Sequence, residues 1–471
     1  MKPVTKRRYP SETAMFDFFE NVLKKRQGSE HPMVTARRNE GLKAFGKLGF
    51  PRKHLEKWRN TDLSAFYGKQ WKIPPVAEPY KKALSDIFLC EVHGFNTKVL
   101  SILNGHYYAP EKQKLITCEN GLVAGSIAEA QKAFPILFQN YYGTLNREYK
   151  HGFTALNDAL QTDGIFIYVP DNVKVNDTFQ LIKILNSPGS MVNTRNMIVL
   201  GKNSKLTFLH CDDSVNHQPG FSNTVTEIFM GENSTLDLYK LQNLNDESVL
   251  LNHTFVRQHA NSTLNLNVLS LNGGNIRNEI QTFLDGEGAV ANLSGLYLAD
   301  KKQHIDNQVY VRHNVPNCDS YELFKGILDD EATAVFNGYI FVERNAQQTN
   351  AFQKNSNILM KPSARINTMP FLEIYADDVK CSHGATVGQL DDEALFYMRQ
   401  RGIPFKDARL LLLNAFTAEV SDKIDIEALR INIEDMVKRR LRGELSICDR
   451  CVLHCSRPEQ PVEFDIDLSK I

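Results

Sequence analysis

Cys381 and His383, two side chains able to bind a transition metal or move a proton, stand two positions apart in the run 372–388. In an extended strand such residues project to the same side. A thiolate and an imidazole so placed are close enough to share a metal ion or polarise one another. Carboxylates precede them. Glu373 alternates with Leu372, Ile374 and Ala376 across the two faces of a half-buried strand, and Asp377 and Asp378 follow. Blander readings stand beside this one. A single cysteine is commonly a small buried hydrophobe, a single histidine a satisfied core or surface group, and Asp377-Asp378 equally a turn.

A second cluster lies near the C-terminus: Cys448, Cys451, His454 and Cys455. The gap between Cys448 and Cys451 is that of zinc and iron-sulfur ligands, and His454 or Cys455 would add a third or fourth. There is one such pair only, neighbours such as His454 and Cys455 seldom ligate one ion, and the segment is a tail. An incidental or redox-active group of thiols is the alternative. The chain lacks Gly-x4-Gly-Lys-Ser/Thr, so it is not expected to bind or hydrolyse a nucleotide itself. It also lacks Gly-x-Ser-x-Gly and His-Glu-x2-His. Basic residues interleaved with aromatics do not cluster beyond the first ten positions, so no nucleic-acid partner is expected.

The elements that must position these groups fall into three regions. From about 164 to 388 the chain reads as short alternating strands separated by Asn, Gly and Ser, including 165–169, 206–209 and 236–239. A repeat runs through them: Gly-Lys-Asn-Ser-Lys-Leu, Gly-Glu-Asn-Ser-Thr-Leu and Ala-Asn-Ser-Thr-Leu place asparagines at 203, 233 and 261. Degraded copies follow at 286 and 361. A period near 30 with only strand and turn signals suits one coil of a β-helix, stable only when stacked on the next. A β-sandwich, whose strands recur every 8 to 12 residues, is the competing architecture.

Helical signals flank this core. Met15, Phe18, Phe19, Val22 and Leu23 form one apolar stripe with Ser11 placed as cap, and a second helix is expected over 33–48, stopped by Gly49 and Pro51. Residues 56–63 give mixed signals. After Gln389, Asp391 and Asp392 can cap a helix reaching Arg401; helices over 406–420 and 425–442 follow. Leu410 to Leu413 with Ala415 and Phe416 make the middle one apolar nearly all round, so it must be buried in its own domain or against a partner. The expected division is 1–80 helical, 81–163 mixed, 164–388 β-helix, 389–445 helical and 446–471 tail.

Composition bounds the function class. The chain has 471 residues, 55 basic and 55 acidic, so no global field draws it to nucleic acid or anionic membrane. The basic start runs into Glu12 and Asp17 with no apolar stretch behind it, and no run approaches a membrane span. A cytoplasmic location with reduced thiols is expected, eight cysteines notwithstanding.

The run from Glu373 to Gly388, continued by Leu390-Asp391-Asp392-Glu393-Ala394-Leu395-Phe396-Tyr397 and Arg401-Gly402-Ile403, resembles the most distinctive motif of the SufB/SufD family. Trp58-Arg59-Asn60-Thr61-Asp62-Leu63 is similar to its N-terminal region, and the resemblance covers essentially the whole chain. Cys-Ser-His-Gly-Ala-Thr resembles the SufD-like form rather than the SufB-like one, and the SufB scaffold cysteine would fall at about Lys354 or Asn355. The resemblance implies a mainly β fold, a right-handed parallel β-helix (solenoid) between N- and C-terminal helical domains. It implies a non-catalytic scaffold subunit for iron-sulfur cluster assembly, paired with a SufB-like paralogue or a second copy of itself and bound to a SufC-like ATPase through the C-terminal helices. A transient cluster would sit at the subunit interface, with His383 matching the family's implicated histidine, Cys381 its neighbour, and Glu373 and Asp378 beside them. A β-helix carbohydrate-active enzyme, working through acidic residues on one solenoid face, is the rival.

Overall fold

In the computed structural model the described residues are 10–26, 30–67, 69–74, 97–109, 113–146, 151–214 and 219–442. The repeat is the coil of a parallel solenoid. Lys205 pairs with Thr235 and Thr235 with Thr263, displacements of 30 and 28 positions that match the spacing of Asn203, Asn233 and Asn261. All three asparagines adopt φ of +55°, the left-handed turn that asparagine tolerates. The first two stack on Asn172: Asn203 donates to Asn172 at 2.8 Å and Asn233 to Asn203 at 2.9 Å.

Each coil contributes one strand to each of two ten-stranded sheets, whose neighbours are alternate strands in sequence. The parallel pairing rules out the antiparallel sandwich. Strands Thr97–Leu103, His106–Tyr108, Leu115–Thr117 and Val123–Ser126 extend the sheets at the N-terminal end, partly antiparallel. Strands Arg365–Ile374 and Val379–Gly388 are the last rungs at the other end, and among the described residues nothing pairs with their outer edges.

Inner faces carry the core: Phe208, Leu238, Leu266 and Leu293 are register partners coil upon coil. Beside that stripe runs a hydrogen-bonded polar strip. Lys183 donates to Asp212 at 3.0 Å, Gln242 to Asn278 at 2.6 Å, and Asn278 to Asn307 at 3.0 Å. Satisfied in this way, buried polar groups are tolerated.

The N-terminal helices Pro10–Arg26 and Pro32–Leu48 pack with Gly152–Leu160 around Phe19, Phe45, Trp58 and Phe153. Ser11 falls within the described span of the first helix, Pro10–Arg26. The mixed stretch 56–63 is a clasp on the solenoid wall. Arg277 stacks over Trp58 at 3.8 Å and donates to the Lys57 carbonyl at 3.0 Å, while Thr61 bonds His304 and Asp306.

Three C-terminal helices, Asp392–Gln400, Phe405–Ser421 and Glu427–Leu441, fold back along one sheet. Asp391 caps the first, accepting from the amides of Glu393 and Ala394. Leu413, Val420, Leu429, Ile433, Met436 and Val437 bury against Leu241, Leu269, Leu296 and Ile327 of the solenoid's outer face. Arg440 pins the last helix, donating to the Leu271 carbonyl at 2.9 Å and to Asp300 and Gln303. The apolar character of the middle helix is therefore largely consumed within the chain: Leu410 and Leu413 are buried, and Leu411, Leu412 and Phe416 half-buried.

Candidate functional site at the open end of the solenoid

The run containing Cys381 and His383 is a corner rather than one strand. Leu372 and Ile374 end one sheet, Tyr375 to Asp378 turn, and Val379–Gly388 ends the other. Register sets the direction of each side chain. Cys381 pairs with Ala351, which pairs with Ser320; His383 pairs with Gln353, which pairs with Glu322. All four earlier residues are buried, and Glu322 follows Leu293 of the inner core. Cys381 and His383 therefore share the inward face, as their spacing predicts, but on the last rung, where no further coil among the described residues covers them.

Their environments differ. Cys381 packs at the margin of a small apolar cluster of Ile340, Val342, Ala346, Ala351 and Ala376. Burial pushes its thiol up, away from the thiolate, with the Ala351 backbone opposing weakly. His383 is exposed. Gly384 and Gly388 beside it have nothing within 4 Å of where a Cβ would stand, so the strand's surface is open.

The acidic candidates are not gathered with this pair. Glu373 lies in the other sheet, on its outer face, where it accepts from Tyr375 at 2.6 Å and from Tyr339. Asp378 is exposed at the turn, its amide donating to Gln347 at 2.8 Å. Cys448, Cys451, His454 and Cys455 lie outside the described residues. Lys354 points outward toward Glu419 at 3.4 Å. Asn355 points inward and donates to Tyr297 and the Phe324 carbonyl. Neither is a thiolate ligand.

The terminal rungs and the corner between them also expose apolar side chains, Phe371, Tyr375 and Val387. Among the described residues the end has no capping element and two strand edges without a pairing neighbour, beside exposed aromatic side chains.

The comparisons with known proteins agree with the fold. Residues 183–416 match the model of the SUF system FeS cluster assembly, SufBD core domain, and residues 9–181 that of the SufBD protein N-terminal region. A SufBD family iron-sulfur cluster assembly protein of Synechocystis is 30% identical over 429 residues, 88% of this chain and 92% of its own length. The chain belongs to the SufBD family. Iron-sulfur cluster assembly protein SufD of Escherichia coli is 32% identical over 61% of this chain and 72% of its own. SufD of Bacillus subtilis is 26% identical over 69% and 75%.

One histidine-carboxylate cluster in this SufBD chain had no signal in the sequence. His151, His253 and Glu279 meet in the wall beneath the N-terminal clasp. His151 Nε2 and His253 Nδ1 lie 2.9 and 3.0 Å from one oxygen of Glu279, and Arg277 holds the other at 2.8 Å. His151 Nδ1 accepts from the Phe153 amide, so its proton is on Nε2, the atom a metal would need. Burial alone would raise Glu279, but His151, Arg277 and His253 outweigh it and hold the carboxyl well below its usual range. The donor set is that of a hydrogen-bonded ionic hub, already neutralised by Arg277. It fits a structural role better than a metal site.

Proposed function

We propose that this chain is a non-catalytic scaffold subunit of an iron-sulfur cluster assembly complex. Its uncapped solenoid end would meet a SufB-like paralogue or a second copy of itself, and its C-terminal helices would receive a SufC-like ATPase. The observation that carries this is the placement of His383, inward in register yet exposed on a terminal rung with a free strand edge. A partner strand docking there would enclose the imidazole at the joint.

Cluster iron accepts imidazole and thiolate, and a histidine-containing site releases its cluster more readily than four thiolates. The cluster is the cargo of this reading, held transiently between subunits. His383 would serve as ligand or proton carrier. Cys381, kept protonated by burial, would give up its proton only on binding cluster iron. For the ATPase, exposed Phe396, Tyr397 and Phe405 and a groove of about 370 Å³ lined by Leu411, Asn414, Ala415, Glu434 and Lys438 support a docking role. Among the described residues no helix is long and apolar enough to cross a membrane. We place the assembly in the cytoplasm.

Family membership favours this reading over a carbohydrate-active enzyme. The polar ladder on the outer face is Asp237, Asn265 and Asn292 bonded in series, rather than a pair of carboxylates flanking a cleft. The test is anaerobic co-expression with a SufB-like partner and a SufC-like ATPase, followed by spectroscopic assay of cluster on the purified complex. His383→Ala should leave the complex assembled and lower its cluster content at least tenfold. Wild-type cluster on an intact H383A complex would refute the role given to His383.

A further inference from the structure

Leu293, Glu322, Gln353 and His383 are partners on successive coils, one inward column leading to the open end. Gln353 is 3% exposed and reaches the opposite sheet, where a Cβ on Gly338 would come within 2.2 Å of its Nε2. Glycine at 338 makes the room. The amide is pinned from below, since Gln353 Nε2 donates to Glu322 Oε2 at 2.7 Å. Its other end, Oε1, is buried with no partner, as is Glu322 Oε1. A neutral Glu322 brings one proton to this pair of oxygens, but a carbonyl oxygen accepts two hydrogen bonds, and a buried acceptor left short is costly. The next side chain in the column is His383, whose ring makes no hydrogen bond among the described residues.

We propose that Gln353, held by Glu322, is the positioning residue for His383: its carbonyl oxygen, unpartnered here, would take one imidazole N–H once the His383 ring turns inward, and would leave the other ring nitrogen directed out of the solenoid. The proposal rests on His383 being the working residue of this end. A neutral imidazole has one donating and one accepting nitrogen, and a ligating histidine is usually held by a hydrogen bond to its remaining N–H. Gln353 would thus select the tautomer and aim the free nitrogen at whatever the partner presents. The hydroxyl of Thr368, also buried without a partner, lies two residues before Pro370, the register partner of Gly338, and is the competing donor to Gln353.

The test is nitrogen NMR of the full chain labelled with 15N-histidine, with H383A identifying the signal. Wild type should show His383 as a single tautomer. Q353L should release it to the mixture of a free imidazole, and Q353E, which keeps an acceptor, should restore one tautomer. A mixed tautomer in wild type, or a His383 unmoved by both variants because Thr368 holds Gln353 instead, overturns the proposal. If neither variant folds, the wild-type tautomer decides alone. The result is independent of the cluster assay on H383A, so the two readings fail separately.

Discussion

Replacing Glu322 by glutamine should make the protein more stable, and by an amount that grows with pH. The Glu322 carboxyl is enclosed in the solenoid with no cation beside it, and burial pushes its pKa from 4.5 up to about 8, opposed only by the Gln353 hydrogen bond. An acid raised in the fold retains a proton that the unfolded chain releases. Stability is therefore unaffected below pH 4.5, falls as pH rises from 4.5, and reaches its full loss near 8. At ~1.36 kcal/mol per pKa unit the loss is about 3 kcal/mol at pH 7 and less than ~1 kcal/mol at pH 5. Glutamine has the same shape and no charge to lose. Urea unfolding of wild type and E322Q at pH 5 and pH 7 should show the variant's relative stability rising by about 2.5 kcal/mol between the two. A difference that stays constant within ~0.5 kcal/mol would mean that Glu322 is ionised in the fold, and the account of the buried column would be wrong.

The other predictions concern separate parts of the chain. Gly338→Ala places a Cβ against Gln353 and should cost about 1–3 kcal/mol, read from the urea midpoint; an unchanged midpoint would show that Gln353 moves freely. Arg440→Ala breaks the bonds to Leu271, Asp300 and Gln303 and should cost about 3 kcal/mol at the helix-solenoid contact. Limited proteolysis should then release the C-terminal helices while the solenoid stays intact, and equal resistance in wild type and variant would count against the pin. Burial lowers His313 to about 4, so on acidification from 6.5 the unfolded chain gains a proton that the fold refuses. Stability is lost as pH falls, and His313→Asn should spare about 2.5 kcal/mol of that loss at pH 4.5; the same acid slope in both proteins would refute it. Cys381, half-buried as a thiol, should be alkylated more slowly by iodoacetamide at pH 7.5 than an exposed cysteine, and faster labelling would place it as an open thiolate.

The periodic features were legible in the sequence because they are local. Asparagines at 203, 233 and 261 disclose the coil because each must take a left-handed turn at the same corner, and stacking repeats that corner. The spacing of Cys381 and His383 gave their shared face through the two-residue period of a strand, and Asp391 announced the helix it caps. The positions of Glu373 and of the middle C-terminal helix were decided elsewhere. Alternation cannot say that a strand ends at Ile374 and resumes in the opposite sheet, so Glu373 reads as a neighbour of His383 while it bonds two tyrosines on another face. An apolar helix reads alike whether a partner or its own solenoid covers it, and here Leu413 meets the chain's own wall. Glu322, Gln353 and His383 are about 30 residues apart, as are Arg277 and Asp306, and no local pattern pairs them. Local chemistry determined the coil; stacking one coil upon another decided which distant side chains share an interior and which rung was left open to solvent.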